Sequence, residues 1–485
     1  MNTPIRRLGL VVAAMFCALL LASTMIQFVQ AKALNDKPGN RRTMLASYAK
    51  ERGSIIVDGR AVADSQPSND DYKWQRRYNQ GPLYAAATGY FSFIYGTSGV
   101  ERGYNAYLSG SSDKLFYRRL TDILTGKTPQ GASVDLTIKA KVQQVATQAL
   151  GKQKGAVVAL DPKTGAILAL VTSPSYDPNL LAGHDMTKVQ NNWNALLKDP
   201  DNPLVNRTIG GNLYPPGSTF KLVTTAAALQ SGKYQPDSEL PGPATMKLPG
   251  TSNTYLPTDD NRPCGPGDKT SLTRALAVSC NTAYASLGLD LGGNALRDQA
   301  SKFGFGMDLS IPMSVTPSTF PSELNQPQLA QSAIGQYDVR VTPLQVAMMS
   351  AGIANGGKVM RPYLVQTVRD KNLDVISTTD PSTFSQAVSS DVASQLRDMM
   401  VGVVDNGTGT NARIPGIQVA GKTGTAEHGK GKIQHVWFTG FAPANDPKVA
   451  VAVIVENGGT AGQEASGASV AAPIAKKVME AVVSP

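Results

Sequence analysis

Ser218 and Lys221, a serine followed three residues later by a lysine, could together perform covalent chemistry. They stand just before an Ala/Leu-rich pattern that predicts a helix, and residues three apart share one helix face. The first turn of a helix also offers backbone N–H groups without intrahelical partners. A lysine can deprotonate a serine only when it is partly neutral, so burial or a neighbouring cation must lower its pKa from about 10.4. Ser-x-x-Lys alone is weak, because chance supplies about two in a chain of this length.

A second polar motif, Ser279-Cys280-Asn281, follows further along the chain. The Ser279 hydroxyl could relay a proton, and the Asn281 amide could hold a substrate carbonyl. The alternative is that both side chains only form hydrogen bonds with unpaired backbone groups at the end of a helix.

A third motif, Lys422-Thr423-Gly424-Thr425, stands where a strand is predicted to begin. Lys422 supplies a cation for a carboxylate, and Thr423 and Thr425 supply hydroxyl donors. Gly424 has no side chain, so a ligand backbone could lie against the strand at that point. Each residue could instead be a solvated strand end, but the three motifs in this order favour catalysis.

Ser-x-x-Lys, Ser-x-Asn and Lys-Thr-Gly together are the signature of penicillin-binding proteins and class A β-lactamases. The chain resembles a class B penicillin-binding protein of the short actinobacterial type. The resemblance extends over nearly the whole chain, through residues 52–55, 98–104, 206–207, 213–217, 341–345 and 407–409. The stretch of about 120 residues before the transpeptidase domain is short for class B, and no glycosyltransferase domain is expected there.

This resemblance implies a serine acyl-enzyme mechanism. Ser218 would attack the penultimate D-alanine carbonyl of a peptidoglycan stem peptide, with Lys221 as base and Ser279 as the relay to the leaving amine. Backbone N–H groups of Ser218 and Thr425 would form the oxyanion hole. An amino group of a neighbouring stem would then take the acyl chain and complete the cross-link.

The resemblance also implies the ligands and partners. Lys422, Thr423 and Thr425 would hold the terminal carboxylate, and β-lactams would acylate Ser218 because they mimic the D-Ala-D-Ala end. A polytopic glycosyltransferase of the RodA/FtsW type would be the protein partner, and neither a cofactor nor a metal is implied. The role would lie in cell-wall synthesis during growth or division.

Three alternatives to a transpeptidase remain open at this point. A secreted β-lactamase would need a base that activates water for deacylation, and its usual size leaves the N-terminal region unexplained. A D,D-carboxypeptidase would pass the acyl group to water, which product analysis with an acceptor amine distinguishes. A non-enzymatic scaffold for a wall-synthesis partner would still support growth after Ser218→Ala.

The N-terminal region predicts a membrane anchor. Residues 8–29 contain no charge, and at about 1.5 Å per residue they reach roughly 33 Å, enough to cross a bilayer core of about 30 Å. A cleaved signal peptide is the alternative, since residues 29–31 could form a cleavage site. Flanking charges do not decide the orientation. The cross-linking chemistry implied by the resemblance places the catalytic domain outside the cytoplasmic membrane.

The remaining pattern predicts an α+β fold, with an antiparallel sheet flanked by helices. Apolar runs at 156–160 and 166–171, and again at 436–442 and 449–455, are joined by turn residues and predict two hairpins. Residues 218–405 between them are dominated by helical patterns. The predicted organisation is a cytoplasmic tail (1–7), a transmembrane anchor (8–29), a small N-terminal domain (30–150) and a transpeptidase domain (151–485).

The amino-acid composition argues against several other classes of protein and site. The chain has 485 residues, of which 17% are charged and 41% hydrophobic, which argues against a disordered tail and a multi-span membrane protein. Three His and three Cys nearly exclude a His/Cys zinc cluster. The net charge of +10 permits contact with anionic surfaces, but no aromatic-interleaved basic cluster points to nucleic acid.

The extracytoplasmic setting implied by the resemblance also bears on the cysteines. Disulfides persist outside the cytoplasm, and Cys17 lies in the predicted membrane span, which leaves Cys264 and Cys280 as partners for each other. The alternative is a free buried thiol at Cys280. A bond there would restrain the loop that presents Ser279 and Asn281, and would contribute roughly 3 kcal/mol in the chain-entropy model.

Overall fold

The computed structural model describes residues 3–35, 48, 50–115, 130–211, 213–429 and 431–484. Two larger sheets organise these residues, one of five strands and one of six.

The five-stranded sheet is antiparallel throughout and carries one of the three motifs on its edge strand. Its spatial order is Ala420–Ala426, His435–Ala442, Val449–Val455, Gly155–Leu160 and Ile167–Ser173. Both predicted hairpins are therefore confirmed, and the two ends of the transpeptidase region meet in one sheet. The central strands are buried on both faces, which explains why their sequences are apolar runs rather than alternating patterns.

Helices cover both faces of this sheet. Ala140–Leu150 and Ala472–Val483 pack on one face through residues such as Val142 and Ile474. Pro343–Ala354 packs on the other. The further helices of this part are Asn179–Ala182, Met186–Lys198, Lys221–Gln230, Leu272–Ala277, Asn281–Leu291, Gly293–Lys302, Gln326–Ser332 and Ser390–Asn406.

The six-stranded sheet is mixed and joins distant parts of the chain. Its order is Val375–Thr378, Val365–Arg369, Ser133–Leu136, Ile55–Val57, Arg60–Pro67 and Trp74–Tyr78. The pairing of Ile55–Val57 with Ser133–Leu136 is parallel. Between the strands Trp74–Tyr78 and Ser133–Leu136, the chain forms the helices Gly81–Thr88, Gly99–Gly103 and Asn105–Leu108. Its first two strands come from the stretch that the sequence pattern assigned mainly to helices.

Five two-stranded sheets complete the described strands. They pair Phe91–Ser92 with Gly96–Thr97, Glu239–Pro241 with Lys269–Ser271, Thr245–Lys247 with Tyr255–Pro257, Leu309–Ser310 with Ser314–Val315, and Lys358–Met360 with Thr383–Gln386.

A buried ionic cluster holds the N-terminal part together. Both Arg52 Nε and Arg76 Nε lie 2.6 Å from a carboxylate oxygen of Glu101, and all three side chains are almost fully buried. The Tyr78 hydroxyl donates a third hydrogen bond to Glu101, over 3.1 Å. Burial by itself would raise the pKa of Glu101, but the two guanidinium groups outweigh it and hold that pKa below its usual value.

Two helices lie near the domain boundaries predicted from the sequence, and those boundaries stay predictions. Ala140–Leu150 falls within the predicted N-terminal domain, yet it packs on the five-stranded sheet because its apolar face continues the core there. The apolar helix begins at Thr3 rather than at residue 8, so part of the predicted tail is helical. Thr3–Val29 is one helix of 27 residues that contains an 18-residue stretch with a mean hydropathy of 2.4, long and apolar enough to cross a membrane.

Candidate active site

Ser218 lies on a tight turn that leads into a buried helix. The 3-10 turn Gly217–Phe220 is followed directly by Lys221–Gln230. Gly217 has a φ of +53°, and a Cβ there would come within 2.4 Å of the Thr425 carbonyl oxygen. Only glycine therefore lets the turn approach the motif strand. Ser218 is 9% exposed and faces a cleft, and its hydroxyl has no hydrogen-bond partner among the described residues.

Lys221 is completely buried beside the second motif. Its Nζ donates to the Ser279 carbonyl oxygen at 2.6 Å, to Asn281 Oδ1 at 2.7 Å and to Ser279 Oγ at 3.2 Å. These partners are all neutral. Burial, with the nearby positive charge of Lys422, lowers the pKa of Lys221 well below its usual value. Burial and a neighbouring cation, the two features that a lysine base would need, are therefore both present at Lys221.

The second motif connects two helices, Leu272–Ala277 and Asn281–Leu291. Ser279 has a φ of +60°, an uncommon conformation for a non-glycine residue, and its carbonyl and hydroxyl oxygens both accept from Lys221. The structure contains the predicted Cys264–Cys280 disulfide. The bond ties the turn that carries Ser279 to a preceding loop.

The third motif occupies the edge strand Ala420–Ala426. Lys422 Nζ donates to Ser279 Oγ at 2.9 Å and to the Thr423 carbonyl oxygen at 3.0 Å. Burial lowers the pKa of Lys422 to about 7. The Thr423 hydroxyl shares a 2.6 Å hydrogen bond with the hydroxyl of Thr408. Ser279 Oγ thus stands between two buried lysines.

Two residues of this motif sit differently from the expectation. Lys422 is 0% exposed, so it does not itself reach the cleft as a free cation for a carboxylate. Gly424 faces the nucleophile turn, where a Cβ would lie 3.0 Å from Thr219 Cγ2 and 3.2 Å from the Pro216 carbonyl oxygen. Its missing side chain lets the strand pack against that turn, rather than leaving room for a ligand.

The three motifs converge on one cleft of about 1270 Å3. Ser218, Asn281 and Thr425 line it, whereas Lys221, Ser279 and Lys422 lie behind its surface. Tyr214, His435 and Glu456 also line the cleft. Burial and the adjacent His428 lower the pKa of His435 to about 4, so its imidazole is neutral near pH 7. Within the described residues, no group of three or more His, Cys, Asp or Glu side chains could hold a metal ion.

Sequence reasoning missed two residues that contact the motifs. Asp259 Oδ1 accepts a hydrogen bond from Asn281 Nδ2 at 2.8 Å, and Thr408 binds Thr423. Thr408 lies in a segment that carried the family resemblance, so a signal for it was present. Asp259 stands in an irregular loop without a motif, and only the fold brings it to the site.

Comparisons with known proteins give matches over both parts of the chain. The family model described as the penicillin binding protein transpeptidase domain matches residues 155–480, and that described as the penicillin binding protein A dimerisation domain matches residues 52–134. This chain is 44% identical to peptidoglycan D,D-transpeptidase PbpA of Mycolicibacterium smegmatis and 43% identical to that of Mycobacterium tuberculosis. Each alignment spans 492 positions and covers 100% of this chain and 99% of the relative.

A solved structure extends the comparison to the fold. The ceftriaxone acyl-enzyme complex of penicillin-binding protein A from M. tuberculosis superposes with a TM-score of 0.87 at 43% identity. The match covers 90% of this chain and 100% of that one.

Proposed function

Because this chain belongs to the penicillin-binding protein transpeptidase family, we propose that it is a peptidoglycan D,D-transpeptidase that uses Ser218 as its nucleophile. The observation that carries the proposal is the contact of both Lys221 and Lys422 with the single hydroxyl of Ser279, directly behind the Ser218 turn. Such a set of groups provides a nucleophile, a base with a lowered pKa and a proton relay in one place.

Lys221 is the proposed general base. A neutral amine has two N–H donors and one lone pair, so Lys221 can keep two of its three present acceptors and direct the lone pair at Ser218 Oγ. The Ser218 oxygen then forms a bond to the penultimate D-alanine carbonyl carbon while its proton moves to Lys221. The lowered pKa of Lys221 makes the neutral amine available at a lower pH than for an ordinary lysine.

Ser279 is the proposed relay to the leaving group. Its Oγ lies 3.2 Å from Lys221 Nζ and 2.9 Å from Lys422 Nζ. It can pass the proton taken from Ser218 to the nitrogen of the breaking peptide bond, so terminal D-alanine departs as an amine. Lys422 donates to the same oxygen and supplies a positive field from behind the cleft.

The free edge of Ala420–Ala426 is the proposed platform for the donor peptide. This strand ends the five-stranded sheet, so an extended peptide can add to its unpaired side. Thr425 lines the cleft beside Ser218, and the backbone N–H groups of these two residues are the proposed oxyanion hole. Because Lys422 is buried, direct contacts to the terminal carboxylate fall to the hydroxyls of Thr423 and Thr425.

The proposed setting is the outer side of the cytoplasmic membrane. The helix Thr3–Val29 would anchor the chain there, with the catalytic domain facing the cell wall. β-Lactams would acylate Ser218 in place of the stem peptide. A RodA/FtsW-type glycosyltransferase is the proposed partner, contacted through the membrane helix and the N-terminal domain.

The test uses the full-length protein in detergent with a D-Ala-D-Ala stem peptide and an acceptor amine. We expect cross-linked product that disappears in Ser218→Ala. Release of D-alanine with only hydrolysed stem peptide would instead indicate a D,D-carboxypeptidase. Support of growth by the Ser218→Ala form would indicate that the essential role is a scaffold.

A further inference from the structure

Asp259 is the acidic residue that contacts the motif side chains. It lies in the loop between Tyr255–Pro257 and the turn Pro266–Asp268, and it lines the cleft. Its Oδ1 accepts from Asn281 Nδ2 at 2.8 Å, while the Pro257 carbonyl accepts from the same nitrogen at 3.3 Å. Both donors of the Asn281 amide are therefore directed into this loop.

The orientation of the Asn281 amide matters for Lys221. The Asn281 Oδ1 atom accepts from Lys221 Nζ at 2.7 Å, so the amide presents oxygen to the lysine and nitrogen to the carboxylate. A rotated amide would aim its N–H groups at the lysine. Asp259 favours the observed orientation because a carboxylate accepts hydrogen bonds and cannot donate them.

Charge is the second contribution of Asp259. The ionisable groups around the two lysines are few: each lysine faces the other, and the Tyr284 ring lies 5.5 Å from Lys221 Nζ with its hydroxyl bonded to Thr225. Asp259 raises the pKa of both Lys221 and Lys422, against the larger lowering by burial. Asp259 is solvent-exposed on the cleft side, so a ligand that fills the cleft would remove the water that screens its charge.

We propose that Asp259 is a positioning residue of this site, which orients the Asn281 amide toward Lys221 and places a negative charge beside the two buried lysines. It acts through Asn281 and need not touch the reacting atoms. The inference rests on the proposed function, because it assumes that Lys221 is the base that activates Ser218.

The loop is built to hold Asp259 in place. The neighbouring Thr258 is buried, and its hydroxyl donates to the Arg262 carbonyl oxygen at 2.8 Å, with the Ala244 carbonyl oxygen 3.2 Å away. The Cys264–Cys280 disulfide then joins the end of the loop to the residue directly before Asn281. The contacts of Thr258 and the disulfide thus restrain the positions of the Asp259 carboxylate and the Asn281 amide.

The test is the pH profile of Ser218 acylation by a penicillin, measured on the full-length protein in detergent. Asp259→Asn keeps an acceptor for Asn281 but removes the charge, so the pKa of both lysines falls further. The acidic limb of the profile, where Lys221 must lose its proton, should move to lower pH by about half a unit or more. Asp259→Ala also removes the acceptor, and should slow acylation by about tenfold in addition.

Asp260→Asn is the matched control, because it makes the same change of charge one residue away. Among the described residues, the contacts of Asp260 lie in its own loop: it accepts from Arg262 N at 3.1 Å, and Thr258 Oγ1 lies 3.5 Å away. Its profile should superimpose on that of the unsubstituted protein. Asp259→Glu retains the charge, and we expect the midpoint of its acidic limb to stay within about 0.2 unit of the unsubstituted value.

The outcomes separate the two proposals. If Ser218 of the unsubstituted protein is not acylated, the proposed function fails, and this inference with it. If Ser218 is acylated but Asp259→Asn leaves the midpoint unchanged, the inference alone is overturned, whatever happens to the rate. An equal shift in Asp260→Asn also overturns it, because the effect would then be one of overall charge. Should Asp259→Asn fail to fold, a moved midpoint in Asp259→Glu overturns it.

Discussion

Two buried groups of positive charge, one in the N-terminal part and one in the catalytic part, are treated in opposite ways. In the N-terminal part, Arg52 and Arg76 both pair with Glu101 at 2.6 Å. In the catalytic part, the hydrogen bonds that the buried lysines Lys221 and Lys422 make to described residues go to carbonyl, amide and hydroxyl oxygens. The first cluster keeps its charges, whereas burial lowers the pKa of both lysines.

The difference separates a structural role from a chemical one. A buried cation with a carboxylate partner stays charged and fixes the local fold, although its net contribution to stability is modest. A buried lysine without such a partner can exist as a neutral amine, which is what proton transfer requires. Buried lysines with a lowered pKa behind a cleft are therefore a better indication of function than a fully paired ionic cluster.

The largest effect is expected from the lysine nearest the nucleophile. Lys221→Arg keeps a positive charge but provides no group that can become neutral, because a guanidinium does not lose its proton in proteins. We expect acylation by penicillin to slow by about 10²–10⁴-fold, as in Lys221→Ala. The second-order acylation rate constant is the measurement, with the thermal unfolding midpoint as a check on folding. Near-normal acylation by the arginine variant would show that Lys221 serves only as a charge.

Substitution of Glu101 tests the cluster in which the buried cations are paired with a carboxylate. Glu101→Gln leaves two buried guanidinium groups without a counter-charge, which should reduce the free energy of unfolding by about 3–5 kcal/mol. The acidic limb of the acylation profile should stay in place, because the cluster does not face the catalytic lysines. Denaturant unfolding gives the first quantity. Asp446→Asn, which breaks only exposed pairs, is the control and should leave stability nearly unchanged.

The Glu101 cluster also predicts a direction with pH. Because the pKa of Glu101 is lower in the folded protein than in the unfolded chain, its contribution is present above the unfolded value near 4.5. That contribution is lost as the pH falls through the folded value. Glu101→Gln should therefore show a weaker loss of stability in acid than the unsubstituted protein.

The buried charge of Lys422 should lower the free energy of unfolding, whereas the Glu101 cluster raises it. The pKa of Lys422 is about 7 in the folded protein and near 10.5 in the unfolded chain, so the unfolded state binds more protons between these values and stability rises with pH. Lys422→Met removes that dependence. At pH 6 it should be more stable by about 1–4 kcal/mol, with a gain that shrinks toward pH 10, while acylation is lost. Lower stability at pH 6 would show that the buried charge is compensated after all.

The smallest effect is expected from the hydroxyl pair behind the motif strand. Thr408→Val leaves the Thr423 hydroxyl without its 2.6 Å partner, a loss of about 0.5–1.5 kcal/mol. Acylation should slow by up to about tenfold with no change in the midpoint of the pH profile. Thr408→Ser retains the hydroxyl and should behave as the unsubstituted protein. A larger loss, or one shared by the serine variant, would mean that packing rather than the hydrogen bond is responsible.

The features of the fold and the site that depend on local sequence pattern could be predicted from the sequence. The family, the α+β fold and the two hairpins are confirmed, since apolar runs between turn residues and three spaced motifs are local signals. The Cys264–Cys280 bond is present as well. The roles assigned to the eight motif residues stay predictions, although the structure brings all of them to one site.

Long-range packing accounts for what the sequence could not show. Val365–Arg369 joins a sheet formed mainly by residues 55–136, and a pairing at that separation leaves no local trace. The helix Ala140–Leu150 has an apolar face, but the pattern does not say which sheet it covers. Lys422 has the same residue type whether it is buried or solvated, and Asp259 reaches Asn281 only because the loop folds back.

Mapping the penicillin adduct tests the central claim most directly. The folded full-length protein is labelled with a fluorescent penicillin, digested, and the modified peptide is identified by mass spectrometry. We expect a single adduct on Ser218 that is absent from Ser218→Ala, whereas Ser279→Ala retains it at a reduced rate. An adduct on another residue, or no adduct on folded protein, would contradict the assignment of Ser218 as the nucleophile.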